Sequence, residues 1–289
     1  RNGFVLTQLQ FGRETRRNQR VAFGFSPRLT RYFTLNTQYS STYAENLETG
    51  GQKTPIGNVR RGLKVNNNNT ANVRFSLNLP TIFQPLARPG KGGISLRRII
   101  GKLGSSLDAL QTNASRSRSN NLFGLRSRPS LKFQLGLKDT AEVEVFPSGG
   151  VTRINTRNIT DRAGLNGGLR LPLGLSVQAG ANYTHTWTHG NANTEDENIA
   201  LPTVSAAWRG LERVPILRWV LTSSSVNTSY RDVRIRRGEG GLGPQTLTSD
   251  GTKVDYNPLI AWTARWKGQL STTLRSNRSR QNDLRYQRN

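Results

Sequence analysis

The chain has 289 residues, 34% of them hydrophobic, no Cys and no Met, and 42 Lys plus Arg against 17 Asp plus Glu for a net charge of +25. With a mean hydropathy of −0.60 and no run near the roughly 18 to 20 apolar residues that a spanning helix needs, a helical membrane bundle is excluded. The lack of Cys excludes a disulfide scaffold and thiolate metal sites, whereas a transmembrane β-barrel stays allowed because it shows only alternate residues to lipid.

Taken alone, the pI near 11.6 points to a nucleic-acid binder. Such proteins gather basic residues in one tail or on one helix face. Here the arginines run through strand-like and loop-like stretches of the whole chain, so no nucleic-acid partner is expected. The chain opens Arg1-Asn2-Gly3 without Met, shows no signal peptide and stops in mid-pattern at "LRYQRN", and is therefore expected to be an internal fragment of a longer protein.

In chain order, the first period-two stretch sets Val21, Phe23 and Phe25 against Ala22 and Gly24. Phe33, Leu35, Thr37 and Tyr39 then alternate with Thr34, Asn36, Gln38 and Ser40, and Val73, Phe75, Leu77 and Leu79 with Arg74, Ser76 and Asn78. The rhythm breaks at "ISLRRIIGKLGSSLDALQT" (94–112), where Leu96, Ile99, Ile100, Leu103, Leu107 and Leu110 stand at helical spacing. Two readings stay open there: a short amphipathic helix near 94–104, or a break at Gly101 and Gly104 with a strand beginning inside the stretch.

Alternation returns in "LKFQLGLK" (131–138), with Leu131, Phe133, Leu135 and Leu137 on one side and Lys132, Gln134, Gly136 and Lys138 on the other. The longest run carries Leu173, Leu175, Val177, Ala179, Ala181 and Tyr183 against Ser176, Gln178, Gly180, Asn182 and Thr184. Near the end, Ile260, Trp262, Ala264 and Trp266 lead to Leu270, Thr272 and Leu274, opposed by Thr263, Arg265, Lys267, Ser271, Thr273 and Arg275. The short joins call for antiparallel strands.

Alternation alone fits a soluble sandwich or a membrane wall. Several runs reach about 10 residues, the span of a tilted membrane strand, against about 5 to 6 in ordinary sheets. Aromatic residues fall toward the strand ends, at Tyr39, Tyr43, Tyr183, Trp187, Trp219, Tyr230, Trp262 and Trp266, where interfacial girdles lie. The stretches 44–58, 190–202 and 236–253 read as long polar loops and the other joins as short turns, the pattern of an outer-membrane meander. The expected fold is an all-β, antiparallel, up-and-down transmembrane barrel wall in one domain, 1–289.

No catalytic constellation emerges. Gly238, Gly240 and Gly243 match a dinucleotide fingerprint, but a turn-rich segment follows them instead of a helix. His185 and His189, four residues apart on a strand, lie about 13 Å from each other and cannot share a metal. Glu195, Asp196 and Glu197 read as a solvated loop tip. The protein is expected to be no enzyme and to need no cofactor.

Three stretches carry a family resemblance. "LPTVSAAWRGLERVPILRWVLTSSSVNTSYRDV" (201–233) resembles the segment of SprA-type proteins in which a Leu-Pro and Trp strand leads through a Gly-Leu and a hydrophobic turn to a Ser-rich strand ending in Tyr-Arg. "VDYNPLIAWTARWKGQLSTTLRSNRSRQNDLR" (254–285) resembles the strands that follow, and "YSSTYAENL" (39–47) with "IGN" (56–58) is similar to an upstream Tyr-Ser-x-Tyr stretch and Gly-Asn. Asn227 stands where the family often shows His. The resemblance implies a C-terminal-region fragment of the outer-membrane translocon of type IX secretion, a very large barrel that passes folded cargo from periplasm to cell surface and in some bacteria serves gliding motility.

At roughly 20 to 25 residues per strand and connection, the chain holds about 12 strands of such a wall. The implied partners are outer-membrane lipid, secreted cargo and accessory barrel, plug or periplasmic components of a Gram-negative cell. Alternation makes Arg74, Lys132, Gln134, Lys138, Arg265, Lys267 and Arg275 the candidate lumen lining. Leu131, Phe133, Leu135, Leu137, Tyr183, Trp187, Trp262 and Trp266 are the candidate lipid-facing or girdle residues. A smaller porin or lipopolysaccharide-handling barrel is the nearest alternative, and a basic nucleic-acid binder the alternative from another class.

Overall fold

The computed structural model describes residues 14–27, 30–47, 52–53, 59–60, 62–87, 101–102, 104–146, 154–242 and 246–285. Its strands are β1 (Arg16–Phe25), β2 (Phe33–Leu47), β3 (Gln52–Lys53), β4 (Val59–Arg60), β5 (Leu63–Leu77), β6 (Leu110–Leu125), β7 (Thr156–Arg170), β8 (Leu175–His189), β9 (Thr194–Arg209), β10 (Leu221–Glu239), β11 (Leu247–Trp266) and β12 (Ser271–Arg285). Helix α1 (Leu79–Ala87) follows β5, and a single turn of helix, α2 (Leu131–Gln134), follows β6. The fold is all-β. Ten antiparallel strands form one sheet in the order β1-β2-β5-β6-β7-β8-β9-β10-β11-β12, while β3 and β4 pair apart. The sheet is open, with β1 and β12 at its edges. Within this sheet each strand lies beside the strand next to it in sequence, β3 and β4 apart, an up-and-down order.

The chain divides into two compact units. The first comprises the described parts of Arg1–Ala22, Ser40–Asn69 and Ser119–Arg157. It holds the hydrophobic core, where Tyr43, Val65, Leu125 and Phe133 are 0–2% exposed and Leu63, Leu122, Ala141 and Val143 pack against them. Phe133 comes from the segment 126–146, whose ends are tied by Arg126 N–H to the Glu144 carbonyl (2.9 Å) and Phe146 N–H to the Gly124 carbonyl (2.8 Å).

This segment overturns the strand expected at 131–138. Residues 131–134 are helical, Ser130 caps the turn by accepting from Phe133 N–H, and Gly136 ends it at φ +73°. Phe133 and Gln134 are buried, Leu131 and Leu137 are 65% and 71% exposed, Leu135 is half-buried, and Lys132 and Lys138 face solvent or Glu142. The two rows drawn by alternation, with Lys132, Gln134 and Lys138 as lining and Leu131, Phe133, Leu135 and Leu137 toward lipid, therefore do not exist.

The second unit comprises the described parts of Phe23–Tyr39, Thr70–Arg118 and Asn158–Asn289. Its strands are long, 19 residues in β10 and 20 in β11. The segments 190–202 and 236–253, expected as loops, are mostly strand in their described residues: the connections are 190–193 and, between β10 and β11, the described 240–242 and 246, and at the other end of the strands 171–174, 210–220 and 267–270. Glycines supply the tight turns, with Gly240 at φ +80° and Gly241 at +153°. Of the stretch 94–104, residues 94–100 and 103 lie outside the described residues; 101–102 and 104–106 are helical, and Gly104 packs where a Cβ would meet the Phe83 ring at 2.1 Å.

Because Phe133 is the centre of the first unit's core, Phe133→Ala is expected to cost about 3 to 5 kcal/mol of that unit's stability, while Leu131→Ala and Leu137→Ala should stay within ~0.5 kcal/mol. Hydrogen exchange across 126–146 measures this. Equal losses from all three substitutions would restore the strand at 131–138.

Candidate functional site

Register across β8 to β12 sorts the side chains of the second unit onto two faces, since residues paired across antiparallel strands share a face. One tier aligns Leu175, Trp208, Val226, Trp262 and Leu274. By alternation, Val177, Ala179, Val204, Ala206, Tyr230, Ile260 and Tyr256 stand on the same side. Trp262 and Trp266 meet edge to face at 6.1 Å, and Tyr230 and Tyr256 lie 5.1 Å apart. Tyr183, His185 and Trp187 follow further along β8, with the His185 ring 3.7 Å from that of Trp187. From Leu175 to Tyr183 the band is about 27 Å of strand at the usual rise.

This apolar band is open. Ile260 is 41% exposed and Leu274 54%, and at the end near the 210–220 and 267–270 connections Leu270, Ile216 and Trp219 are 63–81% exposed. Among the described residues of this unit only Ile159, Ala200, Leu221, Val233 and Ala264 are buried apolar side chains, and they form no cluster.

The opposite face is mostly polar level with the band, and beyond it carries the apolar Val233 and Ile235 of β10. It carries Ser176, Gln178, Gly180 and Asn182 on β8, Thr203 and Ser205 on β9, Ser225, Asn227, Ser229 and Arg231 on β10, Thr263 and Arg265 on β11, and Thr273 and Arg275 on β12. A recess of ≈ 650 Å³ opens there, bordered by Asp108, Asn166, Arg170, Gln178, Thr203 and Arg231. Glycine makes the room. A Cβ on Gly180 would meet Asn166 Oδ1 at 2.4 Å and one on Gly168 Asp108 Oδ2 at 2.6 Å. Arg170 Nε donates to Asp108 Oδ1 at 2.8 Å along the rim.

Two bulges keep these faces intact. β9 holds one extra residue at Leu201–Pro202 and β11 two between Tyr256 and Ile260, around Pro258, both prolines lying where the ladder is already interrupted. Thr228 and Ser229 hydroxyls donate to the Leu259 and Asn257 carbonyls at 2.7 and 2.6 Å, replacing ladder bonds. The β9 insertion flips the alternation, so that Val204, Ala206 and Trp208 share a face with Ile199, Glu197 and Glu195.

Beyond the band, the apolar side turns charged. Glu195 Oε1 lies 2.6 Å from His185 Nε2, Arg236 reaches Glu197 at 3.4 Å, and Arg234 Nη2 donates to Asp250 at 2.7 Å. On the polar face Arg237 pairs with Asp196. The acidic run 195–197, expected as a solvated loop tip, is thus the paired start of β9. His189 bonds only Asn193, and among the described residues no group of three or more His, Asp or Glu could hold a metal.

Of the lining candidates, Arg265 and Arg275 stand on the polar face, Arg275 donating to Asn257 Oδ1 at 3.1 Å. Lys267 sits past the end of β11, in the turn, where its N–H donates to the Val220 carbonyl. Arg74 is exposed and alternates with exposed Val73 and Phe75. Tyr183, Trp187, Trp262 and Trp266 all stand on the apolar side.

The first unit contributes a clasp that alternation did not reveal. Arg128 Nε donates to Glu45 Oε1 (2.8 Å) and Oε2 (3.0 Å), and its Nη2 to Glu14 Oε2 (2.8 Å). The hydrogen bonds that Arg128 donates to these carboxylates hold its guanidinium pKa above its already high ordinary value. Tyr43 OH donates to Glu45 Oε2 at 2.6 Å, Ser41 Oγ to the Gln134 carbonyl at 3.0 Å, and Asn67 Nδ2 to that of Phe133. The segment 126–146 is pinned to β2 and β5 by polar as well as apolar contacts.

Two outcomes are expected. Arg128→Gln leaves the 4%-exposed Glu45 carboxylate unpaired and should cost of order 2 kcal/mol, less than a wholly buried pair because Arg128 is 40% exposed; adding Glu45→Gln should recover part of it, which chemical unfolding monitored at the first unit will show. Gly180→Val must displace Asn166, Thr203 and the Leu165 carbonyl and should cost about 1 to 3 kcal/mol, whereas Ala181→Val on the open apolar side should be tolerated, as read from thermal unfolding.

No protein-family model matches the chain, and no curated protein matches it.

Proposed function

We propose that this chain is part of the wall of an outer-membrane protein-conducting channel, with its polar face lining an aqueous passage and its apolar face toward lipid. The observation that carries the reading is the run of long strands β8 to β12 with an open apolar band on one face, bounded by Trp208, Trp262 and Trp266 at one edge and Tyr183, Tyr230 and Tyr256 toward the other, and no cluster of buried apolar side chains among the described residues of these strands. Water would penalise that band, since soluble monomers rarely expose apolar patches beyond a few hundred Å². Hydrocarbon would not, and the run of about 27 Å of strand along β8 from Leu175 to Tyr183 matches the apolar height of a membrane barrel. Among the described residues no helix is long and apolar enough to cross a bilayer.

The polar face suits passage of a large hydrated cargo. Ser, Thr, Asn, Gln and Gly hold water without offering apolar surface for adhesion, and Arg231, Arg265 and Arg275 add positive charge. Within this reading the chain carries out no reaction; it conducts. The resemblance of 201–233 and 254–285 to SprA-type sequences supports the finer proposal that the cargo is folded protein exported by type IX secretion, with 126–146 as an internal closure of the first unit.

Cysteine scanning tests the reading, because the chain has no thiol of its own. In outer membranes from cells bearing the full-length protein, Cys at 205, 225 and 227 should react with a charged maleimide. Cys at 204, 206 and 226 should resist it and, when carrying a fluorophore, be quenched by a lipid-borne quencher. A bulky polyethylene-glycol maleimide at 205 should lower export of a reporter cargo where a small one does not. Equal labelling at both sets would overturn the membrane wall; the expected labelling with unchanged export would keep the wall and overturn the conduit.

A further inference from the structure

We propose that Arg278 and Arg280 of β12 form a docking site for the phosphate groups of anionic membrane lipids at the border of the apolar band. The proposal rests on the membrane reading above and adds to it a lipid class and a place. Arg278 is paired in register with Tyr256 and Arg280 with Val254. Both therefore stand on the apolar side, two residues apart, about 7 Å along the strand. Tyr256, with Tyr230 at 5.1 Å, is the aromatic edge of the band on these strands, and Leu274 and Ile260 precede it. A lipid lying along Ile260 and Leu274 brings its headgroup to Arg278 and Arg280, as acyl chain and phosphate are joined end to end.

Among the described residues, charge pairing on this face of β8 to β12 leaves these two arginines without an acid. On these strands four acids and four arginines stand on its charged half. Glu195 faces His185, Glu197 faces Arg236, and Asp250 faces Arg234 with Arg236 at 3.9 Å. Arg278 and Arg280 are exposed and have no ion pair among the described residues. The remaining acid, Asp232, lies on β10, separated from Arg280 by Val254 of β11, about 9 to 10 Å at the usual strand spacing. A guanidinium is suited to phosphate by its planar fork of donors, and basic residues at a bilayer surface draw anionic headgroups. Asn282, the next residue on that side of β12, adds a neutral donor.

The test uses the full-length protein in phosphatidylcholine vesicles with spin-labelled phosphatidylglycerol or spin-labelled phosphatidylcholine as probe. The wild type is expected to immobilise the anionic label about fivefold more strongly than the zwitterionic one. Arg278→Gln with Arg280→Gln should abolish that preference. Arg275→Gln with Arg285→Gln, which removes two charges from the other face of the same strand, should preserve it, and Arg278→Lys with Arg280→Lys should retain part of it, separating charge from misfolding. A preference unchanged in the first variant overturns the site. Immobilisation of both labels without preference keeps the membrane reading and overturns the site, whereas immobilisation of neither overturns both. Loss of the preference with inorganic phosphate, but not with chloride of equal ionic strength, assigns the arginines to free phosphate and overturns the lipid docking site.

Discussion

The backbone ladder is what the rest of the second unit depends on. Neither face of its long strands is buried in a core, so the strands are held together by cross-strand hydrogen bonds and by side-chain pairs across the register. Every irregularity in that ladder must then be compensated locally. The two bulges show how: they coincide with the prolines, which have no N–H to give, and hydroxyls of Thr228 and Ser229 take up carbonyls that the ladder leaves free. A ladder of this kind tolerates chemically opposite faces, because the pairing is made by the backbone and not by the side chains.

The first unit follows the opposite rule. Its stability comes from a closed cluster of Tyr43, Val65, Leu125 and Phe133 and from the carboxylates gathered around Arg128. Buried asparagines beside the cluster, Asn67, Asn69 and Asn120, retain polar atoms without a protein partner, a cost that well-packed apolar neighbours must offset. One chain thus contains a sheet that orders by pairing and a body that orders by burial.

Much of the fold was legible in the sequence because a period of two is written directly into Leu175, Val177 and Ala179 and into Ile260, Trp262 and Ala264. The site was legible in part, since Arg265 and Arg275 alternate with those residues. The same rule failed at 131–138, where Pro129, Ser130 and Gly136 punctuate a turn of helix and local capping outweighs alternation. It failed also to follow β9 across Leu201–Pro202, although the shift of apolar residues from Ile199 to Val204 records the extra residue. The Arg128 clasp joins residues 83 and 114 positions apart, a long-range closure that no local pattern encodes. The recess was missed because its signal is an absence of side chain, at Gly168 and Gly180, and absence has no periodicity of its own.

The closed cluster of the first unit has a consequence for the order of assembly. Tyr43, Val65, Leu125 and Phe133 satisfy one another without any bilayer, so the hydrophobic driving force for that body is fully available in water. The open band of the second unit has no such internal outlet and gains its burial only from an apolar surrounding. In the membrane reading proposed above, the two bodies answer to different solvents: the first buries its cluster in water, and the second gains its burial at the bilayer. In that same reading the band, and not the Phe133 cluster, is the surface that needs shielding from water before the bilayer is reached.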